Sequence, residues 1–334
     1  RRYDLIVDTG SSLTAVPCKM CRNCGQHVCG ASGRFDPAAS PTAKRIGCSE
    51  SVPGLRCDSC SHASGSRCGY AVRYTEGSAI RGDIISDVVH FKSALTAATG
   101  ANVSVRGYFG CQSFESGMFQ RQRADGIMGL QVAHRRGKVP SFLSALVDQL
   151  GADKTFSLCL SASSGLFLLG GKPPSSESAY RAPPLTLPLA RGARALFTLH
   201  LMGIVTAEVP KLTGSEGAPS PVNASQLRYV PLKGVATPML NPAIVDSGTT
   251  FVYASTPVYR AMLSAIRANL PNPERGARLC AYLHDWELAS LPRFGLIFDS
   301  SARQLYVSPR QYMVEFPRGG GATRSRGRHY CAAI

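Results

Sequence analysis

Two stretches of this chain put a carboxylate where chemistry is the natural explanation. In YDLIVDTGSSLTAVPC, from Tyr3, the apolar run Leu5, Ile6, Val7 leads straight into Asp8, followed by Thr9, Gly10 and Ser11. In AIVDSGTTFVY the pattern returns: an apolar approach, then Asp246, Ser247, Gly248 and Thr249. An aspartate at the end of a buried strand is expensive unless fixed hydrogen bonds or a shared proton compensate it, so its presence suggests a working site. One Asp-Thr-Gly is a weak signal, because Asp and Gly are ordinary turn residues. Two copies with matching approaches are a strong one, and each copy is expected to belong to one half of a two-lobed molecule.

Hydrolysing a peptide bond without metal or covalent intermediate needs a water deprotonated as it attacks and a carbonyl oxygen protonated as it gains charge. Two carboxylates sharing one proton across a water can do both, because like charges a few ångströms apart do not both ionise readily. Asp8 and Asp246 are the expected pair. Gly10 and Gly248 lack Cβ, so backbone N–H groups can approach the carboxylates closely. Thr9 and Ser247 are expected to bond to each other and hold the two loops in register, while Ser11 and Thr249 donate to the outer carboxylate oxygens. This chemistry calls for no cofactor.

The elements that must position these loops are mostly extended. Short segments rich in Val, Ile, Phe, Tyr and Thr are punctuated by Gly, Pro and Ser. YAVRYTEGSAIRGDIISDVVHF reads as two strands about a Gly-Ser tip. PSFLSALVDQLG, from Pro140, and TPVYRAMLSAIRANL, from Thr256, have helical apolar spacing, the second with Thr256 as N-cap and Pro257 at the first helical position. A Pro/Ser-rich stretch after GLFLLGG sets the expected boundary near residue 178, with one half over 1–178 and the other over 179–334. KLTGSEGAPSPVNASQ is the most loop-like segment of the second half.

Composition narrows the class. The chain has 334 residues, 44% of them hydrophobic and 17% charged, which excludes disorder of the whole. No run of 18 apolar residues occurs, so no membrane-spanning helix is expected within it. The chain lacks an initial methionine and is read as a piece of a longer protein, with any signal peptide or membrane anchor outside it. Of its 12 cysteines, eight lie between Cys18 and Cys68 (Cys18, Cys21, Cys24, Cys29, Cys48, Cys57, Cys60, Cys68); the others are Cys111, Cys159, Cys280 and Cys331. With glycosylation sequons at Asn102 and Asn223, this count favours an oxidising secretory compartment. The net charge of +16 and the stretch RGGGATRSRGR raise nucleic acid as a partner. The other basic residues are scattered and no aromatic-basic platform is visible, so nucleic-acid binding is not expected.

CKMCRNCGQHVC, with His27, has spacing that taken alone suits zinc as well as disulfides. The further cysteines and the secretory signals favour a disulfide knot whose eight-cysteine connectivity stays open. His27, His90 and the remaining histidines have no defensible triad partner and are read as surface or core residues.

The chain resembles the pepsin-type (family A1) aspartic proteases, which carry one Asp-Thr/Ser-Gly motif in each of two lobes. Besides the two motifs, ADGIMGL, Ala124 to Leu130, is similar to the strand that passes under the first aspartate loop, and YTEGSAIRGDIISDVV is similar to the flap that closes over substrate, with Tyr74 at the flap-tyrosine position. The resemblance implies a mostly β, bilobal fold with few short helices. The cysteine-rich insert, about 18–68, and the flap, about 70–90, resemble the nepenthesin-like subgroup, and within it the plasmepsin V-like export-motif proteases of apicomplexans. That implies an endopeptidase of the endoplasmic reticulum or Golgi lumen that cuts effector proteins at a motif with Arg two residues before a cleavage-site Leu. It also implies a monomer that peptidomimetic aspartic protease inhibitors bind. By lobe and by the same resemblance, Cys111 pairs with Cys159 and Cys280 with Cys331.

Glu76, two residues after Tyr74 and beside Gly77, is the expected binder of a substrate arginine, because a carboxylate takes a guanidinium bidentately. Glu115 and Asp83 are weaker candidates for the same pocket. Pepsins usually carry a tryptophan seven residues after the first aspartate, where this chain has Ala15, so the flap needs another support. The strand ahead of Asp8 and the one beneath Asp246 are expected from the longer protein.

Overall fold

The computed structural model describes residues 2–61, 66–92, 102–131, 139–161, 165–170, 186–190, 196–208, 228–274, 276, 278–298, 304–316 and 327–334. They divide into two compact units. The first comprises Arg1–Pro184, Arg194–Phe197 and Val245–Gly248; the second comprises Leu185–Ala193, Thr198–Ile244 and Thr249–Ile334. The boundary expected near 178, the loop 211–226, Asn223 and most of the arginine-glycine stretch lie outside the described residues.

The first unit is built on an eight-stranded sheet. Its strands are β1 (Leu5–Asp8), β2 (Thr14–Pro17), β3 (Lys44–Arg45), β4 (Ser59–Ser61), β5 (Arg67–Arg73), β6 (Ala79–Lys92), β7 (Asn102–Ser116) and β8 (Gly126–Gly129). They run in the order β1-β8-β2-β7-β6-β5-β4, with β3 beside β6. The apolar run before Asp8 forms β1, which lies parallel to β8 with Leu5 opposite Gly126 and Asp8 opposite Gly129. The ADGIMGL stretch therefore lies beside the first aspartate strand and continues under its loop. Leu130 N–H donates to Asp8 O at 2.8 Å and Gln131 N–H to Ser11 O at 3.0 Å.

The expected hairpin is β5 and β6. Its tip closes through Gly77 N–H to Tyr74 O at 3.0 Å and Tyr74 N–H to Ser78 O at 2.8 Å. Gly77 has φ +96°, a conformation that a side chain disfavours. A two-stranded sheet of β9 (Phe156–Leu160) and β10 (Gly165–Leu169) and the helix α2 (Phe142–Leu150), which follows the short α1 (Gly30–Gly33), complete this unit. Helix α2 starts at Ser141, whose hydroxyl accepts Ser144 N–H, and stops at left-handed Gly151. It buries Phe142, Leu143 and Leu146 against Val105, Met128 and Leu130, so this core layer backs β8.

The second unit holds a sheet β13-β12-β16-β17, formed by β12 (Gly203–Glu208), β13 (Arg228–Pro231), β16 (Arg293–Ile297) and β17 (Gln304–Val307). A second sheet joins β15 (Cys280–Leu283), β19 (Arg328–Ala332) and β18 (Met313–Glu315), and β11 (Thr198–Leu199) pairs with β14 (Ala243–Ile244). Helix α3 (Thr256–Arg267) buries Val258, Met262 and Ile266, spaced four apart along one face, into this unit's core. Its N-cap is Ser255 rather than Thr256. Pro257 stays within the first turn, where its missing N–H costs nothing.

Five disulfides form: Cys18–Cys111, Cys21–Cys24, Cys48–Cys60, Cys57–Cys68 and Cys280–Cys331. Cys280 and Cys331 are register partners on β15 and β19, as the expected pair. The expected Cys111–Cys159 pair does not form. Strand β2 lies parallel to β7 with Val16 opposite Cys111, and Cys18 N–H donates to Gln112 O at 3.0 Å, which brings Cys18 to Cys111. Cys18 thus leaves the insert's own set, Cys29 stays free and half-buried, and Cys159 is free and exposed. Among the described residues, no helix is long and apolar enough to cross a membrane.

Candidate active site

The two aspartate loops meet within the first unit, because Val245–Gly248 belongs to it. Asp8 is 3% exposed at the end of β1; Asp246 is half-buried. Asp8 Oδ1 accepts the Gly10 N–H at 2.7 Å, and its Oδ2 accepts the Ser11 hydroxyl. Asp246 Oδ1 accepts the Gly248 N–H at 2.8 Å. The same aspartate-glycine bond thus recurs in both loops, as the repeated sequence suggests.

Each glycine lies against the other loop's aspartate. A Cβ on Gly10 would fall 2.6 Å from Asp246 Cγ, and one on Gly248 would fall 2.7 Å from Asp8 Cγ. Only glycine allows this approach. Thr9 N–H donates to Ser247 Oγ at 3.1 Å and Ser247 N–H to Thr9 Oγ1 at 2.9 Å. The two hydroxyls then donate onward, Thr9 to Val245 O at 2.8 Å and Ser247 to Val7 O at 2.6 Å. Thr249, grouped with the second unit, is exposed.

Burial pushes the Asp8 carboxyl up to about 6, against the pull of the Ser11 hydroxyl; a hydrogen bond and the charge of Asp246 push the same way as burial. A carboxyl that holds its proton to that pH beside a second carboxylate has the ionisation that general acid–base work on one water needs.

Tyr74 stands at the flap, half-buried, with its ring 5.1 Å from that of Phe119. Its hydroxyl is buried near Asp8 and Ser11 without a formed hydrogen bond. Burial, then the charge of Asp8, push its acidity far below the usual phenol range. Ala15 is 0% exposed on β2, in the same core cluster as Phe119, Tyr70 and Tyr74. Phe119 therefore packs on the flap tyrosine of a chain that has no tryptophan there. Glu76 and Gly77 are exposed at the hairpin tip.

The two weaker acids have partners within the first unit. Glu115 is 0% exposed, and its carboxylate faces His27 Nε2 at 3.0 and 3.1 Å. Asp83 lies 3.4 Å from guanidinium nitrogens of both Arg45 and Arg67. Both carboxylates therefore face basic side chains of their own unit, an imidazole for Glu115 and two guanidiniums for Asp83. The cysteines of the insert's C-x-x-C-x-x-C spacing, Cys18, Cys21 and Cys24, are disulfide-bonded, so their sulfurs are not thiolate ligands.

A family model described as "Xylanase inhibitor N-terminal" matches residues 1–171, just over half of the chain. The chain belongs to this family. Members have a pepsin-like aspartic protease domain. Among curated proteins, it is similar to Aspartic protease 5 of Toxoplasma gondii, at 38% identity over 203 residues, 53% of this chain and 20% of that protein. It is also similar to plasmepsin V of Plasmodium falciparum, isolate 3D7, at 33% identity over 178 residues, 52% of this chain and 28% of that protein. The chain thus spans less than a third of the length of either relative. Among solved structures, conglutin gamma, a basic 7S globulin from lupine seeds, aligns with a TM-score of 0.60 at 16% identity, covering 98% of this chain and 78% of its own. The fold is the mostly β, bilobal pepsin-like one.

The sequence gives no sign of the roles of Arg34 and Phe119, and His27, read as a surface or core residue, is in fact buried against Glu115. Arg34 donates to the carbonyls of Cys21, Cys24 and Gly25 at 2.8 to 3.3 Å and so holds the insert's first loop. The one sequence signal for His27 was its position in the insert three residues after Cys24, a spacing that suits zinc as well as disulfides and says nothing of Glu115. Phe119 had no signal, since a lone phenylalanine between Met and Gln is consistent with any buried turn.

Proposed function

We propose that this chain is the catalytic part of an aspartic endopeptidase. One carboxylate of the Asp8–Asp246 pair takes a proton from water as the oxygen attacks the scissile carbonyl. The other, carrying the shared proton, donates it to the carbonyl oxygen as charge develops there. Collapse of the gem-diol returns a proton to the leaving amine. The observation that carries this reading is the pair itself: two aspartates, each bonded to its own loop glycine and each packed against the other's.

The finer reading is a processing enzyme of the secretory pathway lumen, cutting exported proteins at a motif with Arg two residues before the Leu at the cut. Similarity to Aspartic protease 5 and plasmepsin V supports it, as do the five disulfides and an exposed Glu76 at the flap tip on a chain of net charge +16. A basic substrate approaching so basic a protein needs a local acid. The substrate-binding role of Glu76 and Gly77 belongs to this reading, as does binding of peptidomimetics that carry a hydroxyl in place of the scissile carbonyl.

One observation favours a second reading: the family takes its description from a xylanase inhibitor. A pepsin fold serving only to bind another protein has no use for two intact aspartate loops. The deciding experiment uses the full-length protein with paired fluorogenic peptides, Arg-x-Leu and Ala-x-Leu, and compares wild type, Asp8→Asn and Glu76→Ala. Cleavage of the Arg peptide alone, lost in Asp8→Asn and made indiscriminate by Glu76→Ala, is the expected result. Equal cleavage of both peptides by wild type removes the motif reading and leaves a broad-specificity protease. Cleavage of neither brings the binding protein forward.

A further inference from the structure

His27 and Glu115 form a buried pair at the junction of the insert and the flap, with side chains 1% and 0% exposed. Gly25 N–H also donates to Glu115 Oε2, at 3.0 Å, and His27 Nδ1 lies 3.3 Å from Gln122 O. Every polar atom of the pair is thus engaged, which is the condition under which two such groups can sit out of water. Among the described residues, neither member of the pair is hydrogen-bonded to the aspartate loops.

What the pair joins is specific. On the insert side it fixes Gly25 to His27; Asn23 Nδ2 donates to Glu115 O at 3.3 Å and Gln120 Nε2 to Asn23 O at 3.1 Å. On the flap side Glu115 sits opposite Ile80 of β6, and Ala79 N–H donates to Ser116 Oγ at 3.1 Å. Met118 N–H donates to Ser78 Oγ at 2.8 Å, and the next residue, Phe119, carries the ring against Tyr74. A continuous run of bonds and contacts therefore connects His27 to the flap tyrosine, whose own hydroxyl has no formed hydrogen bond to hold it.

We propose that His27 and Glu115 are a positioning pair: they pin the Ser116–Gln120 turn to the insert and thereby set where Tyr74 stands over Asp8. This rests on the proteolytic reading for its effect on rate. The insert is then a working part of the flap rather than a decoration on it. The clamp is strongest with His27 charged. The hydrogen bond that the Glu115 carboxylate accepts from His27 raises the His27 pKa from its ordinary 6.5, against burial, and Asp125 adds to the rise. Tyr70, on β5, faces Glu115 as a neutral phenol, and Arg34 engages only neighbouring carbonyls. A raised folded value means that the charged pair is fully formed below pH 6.5 and is lost as pH rises through that higher value.

The test compares full-length wild type with His27→Gln, Glu115→Gln and the double variant, in which two neutral amides can bond each other. Two readouts are taken: hydrogen exchange at the amides of residues 74–80 against those of β1 and β8, and kcat and KM for the peptide that the wild type cuts. The proposal expects each single variant to exchange at least ten-fold faster at the flap alone and to lose at least ten-fold in kcat/KM. The double variant should recover most of both. Folded single variants with wild-type flap exchange and wild-type kcat/KM overturn it, and so does a double variant no better than the singles. If the wild type cuts no peptide, the proteolytic reading falls, and the exchange data alone judge the clamp.

Discussion

Thr9 and Ser247 bond each other in both directions, the N–H of each donating to the hydroxyl of the other at 3.1 and 2.9 Å. Each hydroxyl then donates to a carbonyl beyond its partner, Val245 O or Val7 O. Four hydrogen bonds thus tie the loop of Asp8 to the loop of Asp246 without using either carboxylate. Thr9→Val keeps the shape and removes the hydroxyl, leaving the Ser247 N–H without its acceptor and the Val245 carbonyl without its donor. Such a group left unpaired costs about 1–3 kcal/mol where it is buried. Thr9→Val in the full-length protein is expected to melt several degrees lower and to cut at least ten-fold slower. Ser247→Ala should do the same, and the double variant should cost less than the sum, because the two residues share one network. A Thr9→Val protein with wild-type melting and rate would mean that other contacts hold the loops.

The glycines make a sharper prediction. Gly10 and Gly248 each leave no room for a Cβ against the opposing aspartate. Gly10→Ala or Gly248→Ala must push a carboxylate aside by a good fraction of an ångström while removing no hydrogen bond. Misplacement on that scale costs on the order of 10²-fold in rate. Either substitution is expected to reduce kcat by that factor or more in a protein whose circular dichroism and disulfides are unchanged. Activity within three-fold of wild type would show that the carboxylates tolerate rearrangement.

Which parts of this site were legible in the sequence follows from how local each signal is. The aspartate loops repeat one short pattern twice, so the pair, its glycines and the Thr9–Ser247 bond could be read directly. The flap hairpin could be read too, because Gly77 punctuates it. The Cys18–Cys111 bridge could not, since it depends on β2 lying parallel to β7, a pairing of strands far apart in sequence. Glu115 is an acid whose surroundings the local sequence does not fix. Whether it faces solvent or core depends on the alternation of β7 past a register shift at Arg81/Gly82, which turns it toward His27. At α3 two adjacent hydroxyl residues, Ser255 and Thr256, compete for one cap, and composition cannot choose between them.

Asp8 also makes stability depend on pH. Its folded value of about 6 lies above the ordinary 3.8, chiefly through burial. The folded state therefore binds the proton more tightly than the unfolded chain, and the stabilisation by protonation is fully present below 3.8 and lost as pH rises through 6. At about 1.4 kcal/mol per pH unit, the loss is on the order of 3 kcal/mol. Melting the full-length protein at pH 4, 5, 6 and 7 should show this decline for wild type and a shallower one for Asp8→Asn, which cannot titrate. Cleavage should fall over the same upper range, as the pair loses its shared proton. Equal slopes for the two proteins would place the titrating group elsewhere.

The disulfide pattern predicts a definite thiol count. Of the 12 cysteines, ten are bridged; Cys159 is free and exposed on β9, and Cys29 is free and half-buried. Burial first, then Asp125, pushes the Cys29 thiol up to about 11, so at pH 7.5 far less than one per cent of it is thiolate, the reactive form. Maleimide should therefore label one thiol per native chain, at Cys159, and a second only after unfolding without reductant, at Cys29. Cys159→Ser should abolish the native label. Had Cys111 paired with Cys159, Cys18 would be left over, and the native or denatured label would map to Cys18 instead. The Cys18–Cys111 bridge spans 93 residues of sequence, and closing a loop of that size removes about 4–5 kcal/mol of unfolded-state entropy. Replacing both residues with alanine should thus lower stability more than replacing Cys21 and Cys24, which close a loop only three residues apart. If the Cys21/Cys24 replacement costs as much, the insert's first loop contributes through the Arg34 carbonyl bonds and the His27–Glu115 pair that it holds in place, and the bridge's entropy is secondary.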